Sequence, residues 1–119
     1  MTQLNQIYKC NICGNITTVV HTGQGQLVCC GKAMDLQTEN TVDAAEEKHL
    51  PVVEISGSKV TVKIGEVSHP MTEDHFIEWV EVLTKARVYR KTFTPGEEPS
   101  ATFNINEEVI QTRAYCNLN

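Results

Sequence analysis

The sequence predicts an all-β protein: a small cysteine-bearing metal domain over residues 1–36, then an antiparallel β-sandwich over residues 37–119. Three observations carry this expectation. Four of the five cysteines and four of the seven glycines fall between residues 8 and 35, among few large apolar residues. From residue 47 onward the chain breaks into short alternating apolar and polar runs separated by turn signals, the pattern of a sandwich or barrel. Aromatic residues are few, at 6%, so the core should rest on Val, Ile and Leu.

Taken in order, the first segment is too small to bury enough apolar surface by itself, so it needs a staple. Residues 36–46 are polar and acidic and read as a linker. Residues 51–55 form a first strand candidate. After the turn Ser56-Gly57-Ser58, Val60, Val62 and Ile64 alternate with Thr61 and Lys63. Residues 85–93 form a further candidate, closed by Thr94-Pro95-Gly96. Ala101, Phe103 and Ile105 alternate with polar neighbours, and residues 109–115 form the last run. One stretch is ambiguous. Phe76, Trp79, Val80 and Leu83 would share a helical face, whereas His75, Ile77 and Trp79 would share a strand face.

At 119 residues there is room for one ordinary domain, or for one such domain and a small one. The net charge is −5 and the pI about 5.3, which argues against a dedicated nucleic-acid binder. An acidic chain repels anions at long range, so an anionic substrate needs local positive charge at its site. No apolar run approaches the roughly 18 residues of a membrane span. Residues 1–6 are polar and lack the pattern of a secretion signal, so a cytoplasmic location with no membrane partner is expected. Cytosolic thiols stay reduced, and clustered ones there serve more often as metal ligands or catalytic groups than as disulfides.

Cys10-Asn11-Ile12-Cys13 is a CxxC pair followed by Gly14, and Cys29-Cys30 is followed by Gly31. A knuckle of this kind lets two thiolates converge on one ion, and the glycine permits the tight turn. Four thiolates suit iron or zinc, and spacing does not separate the two. Adjacent cysteines must splay apart to ligate together, which should distort the tetrahedron. A structural zinc knuckle or a redox-active CxxC are the competing readings.

Three of the four histidines, His49, His69 and His75, lie in the second segment, and one cysteine, Cys116, lies near its end. Imidazoles with one thiolate suit a redox transition metal such as iron. Singly, each histidine is weak evidence, and Cys116 alone reads equally as an ordinary buried thiol. His21, in a loop entry, receives no role.

Tyr8-Lys9-Cys10-Asn11-Ile12-Cys13-Gly14-Asn15 and Leu27-Val28-Cys29-Cys30-Gly31-Lys32-Ala33-Met34 resemble the desulforedoxin domain that opens desulfoferrodoxins. Glu46-Glu47-Lys48-His49-Leu50-Pro51, His69-Pro70-Met71, the run from His75 to Trp79, and Tyr115-Cys116-Asn117 resemble, in order, the motifs of superoxide reductases. The resemblance spans essentially the whole chain. It implies two iron ions per chain, one in the Cys10, Cys13, Cys29, Cys30 centre, where zinc is the alternative. The other is held on an immunoglobulin-like sandwich by equatorial imidazoles, His49, His69 and His75, and by Cys116 as axial thiolate. It implies superoxide as substrate, reduced by one electron to hydrogen peroxide. It further implies a rubredoxin-like electron donor and a homodimer. Lys48 then attracts the anion and helps deliver a proton, and Glu47 matches the glutamate that ligates the oxidised iron at rest.

The chain departs from the pattern at one place. Near its end the family pattern is Cys-Asn-x-His with a few residues beyond, whereas here the run is Cys116-Asn117-Leu118-Asn119, so Asn119 stands where the fourth imidazole is expected. Water filling the gap, ligation by an Asn119 oxygen, and an impaired site are the three consequences weighed; a weakened site that still binds iron is the expectation. Two other functions stay open: an electron-transfer protein that uses only the four-cysteine iron, and a zinc-stabilised structural module.

Overall fold

The computed structural model describes residues 1–38, 51–64 and 70–117. These residues contain eleven strands and no helix, and the strand pairs are antiparallel. Accordingly, no helix among them is long and apolar enough to cross a membrane. The chain divides into two compact units, Met1–Glu39 and Asn40–Asn119.

In the first unit, β1 (Ile7–Lys9) lies between β2 (Ile16–Thr18) and β5 (Asp35–Gln37). A separate hairpin pairs β3 (Val28–Cys29) with β4 (Lys32–Ala33). Its apolar interior is Ile7, Cys10 and Val19, with Thr2 as the buried polar residue. Thr2 fastens the N-terminal stretch: its amide donates to the Gly23 carbonyl at 3.0 Å, and its hydroxyl accepts from the Gly23 amide at 2.8 Å. Three apolar side chains stabilise this unit by about 1.5–3 kcal/mol each at most. That is little against the cost of ordering the backbone, about 1–2 kcal/mol per residue, so a metal staple is needed.

In the second unit, one sheet has the order β10 (Ser100–Asn104), β7 (Lys59–Ile64), β6 (Pro51–Ser56). The other has the order β11 (Gln111–Cys116), β8 (Ile77–Leu83), β9 (Val88–Thr92). The inner faces share one core. Val60, Val62, Ile64 and Ala101 come from the first sheet, Ile77, Val80, Val82 and Cys116 from the second, with Phe93 and Ile105 from flanking segments. The alternation read along residues 60–64 is therefore the pleat of β7, with its valines and Ile64 inward.

The ambiguous stretch forms a strand, β8, interrupted by a β-bulge. Tyr115 pairs with Trp79, but Cys116 pairs with Ile77, so Glu78 is the extra residue. The bulge shifts the phase of the alternation, and Ile77, Val80 and Val82 all reach the core. An i, i+3 spacing results without any helix. The Glu78 carbonyl accepts from the Phe93 amide at 2.8 Å. The run expected over residues 85–93 is shorter as a strand because Thr84–Arg87 forms the hairpin turn: the Thr84 amide donates to the Arg87 carbonyl at 2.9 Å, and the Thr84 hydroxyl accepts from the Arg87 amide at 3.0 Å.

Candidate metal centres

The first centre is built from two turns. In the first turn the Cys10 amide donates to the Asn15 carbonyl, and the Gly14 amide donates to the Cys10 carbonyl, both at 2.9 Å. Gly14 has φ +85°, a left-handed conformation that costs a side-chain-bearing residue roughly 1–2 kcal/mol. The Asn11 amide group donates to the Asp35 carboxylate and ties this knuckle to β5.

The second turn resolves how adjacent cysteines share one ion. Cys29 pairs with Lys32, so Cys30 and Gly31 are the two residues of the β3–β4 loop. Both have positive φ, 52° and 75°, the signature of the type I′ turns that match hairpin twist. Cys29 closes a strand while Cys30 turns the corner in the left-handed region, and that is the splay their adjacency demanded.

The four sulfurs lie within 4.8 Å of one another. Cys13 Sγ is 3.5 Å from Cys29 Sγ, which is 3.9 Å from Cys30 Sγ. An ion bonded to four thiolates at about 2.3 Å spaces its sulfurs by about 3.8 Å around the tetrahedron. The residues present therefore fit a tetrahedral iron or zinc ion. Electrostatics agree. The backbone amides of Cys13 and Ile12 hold the Cys10 thiol down to about 6. The Cys13 sulfur, with Cys29 and Cys10 beside it, pushes Cys30 up to about 12, and Cys29 is raised by the same crowding. Four thiolates this close repel one another, and a cation at their centre removes the conflict. Cys10 is buried, Cys29 half-buried, and Cys13 and Cys30 are exposed, so one edge of the centre faces solvent.

Of the residues assigned to the second centre, His75 and Cys116 are described; Glu47, Lys48, His49, His69 and Asn119 lie outside the described residues. Cys116 is 5% exposed, at the end of β11, opposite Ile77. His75 precedes Ile77 by two residues, so register brings both to the same end of the β11–β8 pair. A turn presents His75: its amide donates to the Thr72 carbonyl at 3.2 Å, and its carbonyl accepts from the Thr72 amide at 2.9 Å. The ring atom Nε2 is shielded from solvent. A buried thiol and a half-buried histidine with a shielded Nε2, at one sheet end, fit a nitrogen- and sulfur-loving transition metal.

Two features of this sheet escaped the sequence reading. Asn117 bonds on both sides of His75, through Phe76 and Asp74. Glu81, fully buried, sits between Arg113 of β11 and Arg90 of β9 in register. A charged residue inside an apolar run flanked by two arginine-bearing strands was the available signal for the triad. His21 is exposed.

Residues 41–119 match the family described as Desulfoferrodoxin, and residues 2–37 match Desulfoferrodoxin, N-terminal domain. A protein of Archaeoglobus fulgidus named desulfoferrodoxin homolog is 52% identical over 118 residues, 99% of this chain and 94% of that protein. A desulfoferrodoxin of Syntrophotalea carbinolica is 49% identical over the same shares. The crystal structure of the superoxide reductase from Treponema pallidum superposes with a TM-score of 0.76 at 28% identity, covering 95% of this chain and 90% of that one.

Proposed function

The chain belongs to the desulfoferrodoxin family, and on that premise we propose that it is a superoxide reductase, converting superoxide to hydrogen peroxide at an iron held by the sandwich unit. The observation that carries the proposal is the burial of Cys116 at the end of β11, in the same core cluster as Ile77, with His75 two residues beyond its register partner. A lone buried thiol has ordinary packing uses, but a thiol and a shielded imidazole at one strand end have the chemistry of a redox metal site. Support also comes from the names of the relatives and from the solved superoxide reductase of the same architecture.

His49, His69, His75 and Cys116 are the residues that would hold the iron, with Asn119 standing where the family pattern has a further histidine. A ferrous ion held by these residues would supply the one electron that superoxide needs, with two protons, to become hydrogen peroxide, and the thiolate of Cys116 would favour that electron's release. The chain's own residues supply the rest. Lys48, beside His49, provides the local positive charge that an acidic protein needs to attract a small anion, and passes a proton inward through water. Glu47 would supply a carboxylate able to bind the oxidised ion and exchange with substrate. Oxygen donors are harder than imidazole, so Asn119 weakens the site relative to a four-imidazole one without emptying it.

The four-cysteine centre is proposed to hold a second iron, with zinc as the alternative ion. Its exposed edge at Cys13 and Cys30 suits exchange of electrons with a small donor of the rubredoxin kind. A homodimer in the cytoplasm is the proposed setting.

The test is anaerobic metal analysis with optical and EPR spectra before and after oxidation, followed by peroxide measurement under a superoxide flux. Two irons, a red thiolate-to-iron band on oxidation and peroxide formation are expected. Metal confined to the four-cysteine centre overturns the reductase and leaves an electron-transfer or structural protein. Lys48→Ala should slow the second-order reaction in pulse radiolysis and flatten its salt dependence; an unchanged rate removes Lys48 from the mechanism.

A further inference from the structure

We propose that Asn117 is a positioning residue that locks the His75 backbone to the strand end bearing Cys116, so that the imidazole and the thiolate are held as one unit. This rests on the assignment of His75 and Cys116 as metal ligands. Asn117 follows Cys116 directly and grips both neighbours of His75. Its Oδ1 accepts from the Phe76 amide at 3.0 Å, and its Nδ2 donates to the Asp74 carbonyl at 3.0 Å. Its own amide donates to the Phe76 carbonyl at 3.2 Å. One side chain thus satisfies a donor on one side of His75 and an acceptor on the other, across 41 and 43 residues of sequence.

The location gives these bonds their meaning. The ladder between β11 and β8 ends at the Cys116–Ile77 pair, just past the bulge. Beyond it the Asn117 amide makes one more backbone bond, to the Phe76 carbonyl, and its side-chain amide takes the Phe76 amide and the Asp74 carbonyl. Asparagine suits the task because it carries a donor and an acceptor on one planar group. Its Oδ1 also lies 4.0 Å from Cys116 Sγ, so the same group borders the thiolate. From the other direction, the Thr72 turn holds His75 through the His75 amide and carbonyl, and Met71 Sδ accepts from the Ile77 amide at 3.4 Å. The segment is fixed at its start by Met71 and Thr72 and at its end by Asn117, leaving the ring of His75 as the part that reaches inward.

Partners that orient metal ligands are worth about 10–100-fold in metal affinity. The experiment uses the full chain loaded with iron anaerobically, and compares wild type with Asn117→Ala and Asn117→Asp. Three readouts are taken: hydrogen exchange of the Phe76 amide in metal-free protein, the rate at which a chelator removes the sandwich iron, and the position of its thiolate-to-iron band. Asn117→Ala should speed Phe76 exchange and iron release about tenfold and shift the band, with the four-cysteine spectrum on the same chain unchanged. Asn117→Asp keeps the acceptor for Phe76 and turns the Asp74 contact repulsive, so it should retain Phe76 protection and still release iron faster than wild type. It also keeps the test decisive if the alanine variant does not fold. Wild-type iron release and band position in both variants overturn the positioning role. So does a rise in Phe76 exchange matched by core amides such as Val62, which would mark general destabilisation. A wild-type protein without sandwich iron is a separate outcome, visible before any variant is made; it refutes the functional reading and this inference with it.

Discussion

Replacing Glu81 by Gln should destabilise the sandwich unit by about 3 kcal/mol, because it leaves a buried arginine without its counter-ion. Glu81 is fully buried, and its carboxylate is shared by two cross-strand neighbours. Arg113 Nε meets Oε1 at 2.5 Å, with an Arg113 side chain only 16% exposed. Arg90 makes two contacts to Oε2, Nε at 2.7 Å and Nη2 at 2.5 Å, but its side chain is 46% exposed. By contact number the Arg90 side of the triad is the larger; by solvent screening it is the weaker. Exposed pairs contribute about 0–1 kcal/mol, whereas removing one partner of a buried pair costs about 3–5. Screening should decide. Arg90→Ala should therefore cost about 1 kcal/mol, and Arg113→Ala should leave Glu81 held only by a half-exposed partner, at about 2–3 kcal/mol. Trp79 is the chain's one tryptophan, and it stacks on Tyr115 of the same sheet with centroids 4.6 Å apart. Urea unfolding followed by its fluorescence reports this unit rather than the cysteine unit. A loss of about 3 kcal/mol would also lower the midpoint of thermal unfolding by about 12 °C or more. If Glu81→Gln costs under about 1 kcal/mol, or if Arg90→Ala costs as much as Arg113→Ala, the reasoning from burial is wrong.

Cys30→Ser should lower metal content by one ion per chain and leave the first unit without its staple. Limited proteolysis should then cut within residues 1–39 while the unit from residue 40 onward survives; intact resistance would show that the small core suffices. Stability should also carry a carboxylate signature at low pH. The Thr94 amide donates to Glu97 Oε1 at 2.7 Å and the Thr94 hydroxyl at 2.8 Å, and these bonds lower the Glu97 pKa from 4.5, the backbone bond most. A depressed folded-state pKa means stability present above about 4.5 and lost as pH falls through the lower folded value. Denaturation curves of wild type and Glu97→Gln should therefore differ most above pH 4.5, draw together as pH falls, and converge below the lowered folded-state pKa of Glu97. A difference that persists at pH 2 would point to packing instead.

The first metal centre was legible because its geometry is local. Each knuckle closes within a few residues, so CxxC-G and CC-G read directly as two turns, and the turn chemistry later seen at Gly14 and Gly31 was already implied. The adjacency of Cys29 and Cys30 was legible as a problem, and its solution was not. That needed the register of β3 and β4, which puts the pair Cys30-Gly31 at the loop. The strands were legible where the pleat runs undisturbed, as in β7. They were blurred in β8, where one bulged residue, Glu78, breaks the period-2 pattern. Glu81 is visible in the sequence as a charge interrupting an apolar run, but its burial depends on two strands that arrive 9 and 32 residues later.

The proposed second centre is encoded in another way. No local spacing links His75 to Cys116; what brings them to one place is the β11–β8 ladder and the bulge within it. Without the bulge, Cys116 would pair with Glu78, and Ile77 would share a face with Trp79. With it, Ile77 and Cys116 enter the core together while the Trp79–Tyr115 stack stays outside. The bulge costs one ladder position, and beyond the last ladder pair the Phe76 amide and the Asp74 carbonyl take a side-chain partner. Asn117 supplies that partner from the residue after the thiol. Bulge, thiol and asparagine thus form one device spread over two strand ends, in which each part answers a need created by the part before it. A substitution that restored regular pairing at Glu78 would return Cys116 to a regular register opposite Glu78, and Cys116 and Ile77 would no longer enter the core together even with His75 and Cys116 both still in the sequence.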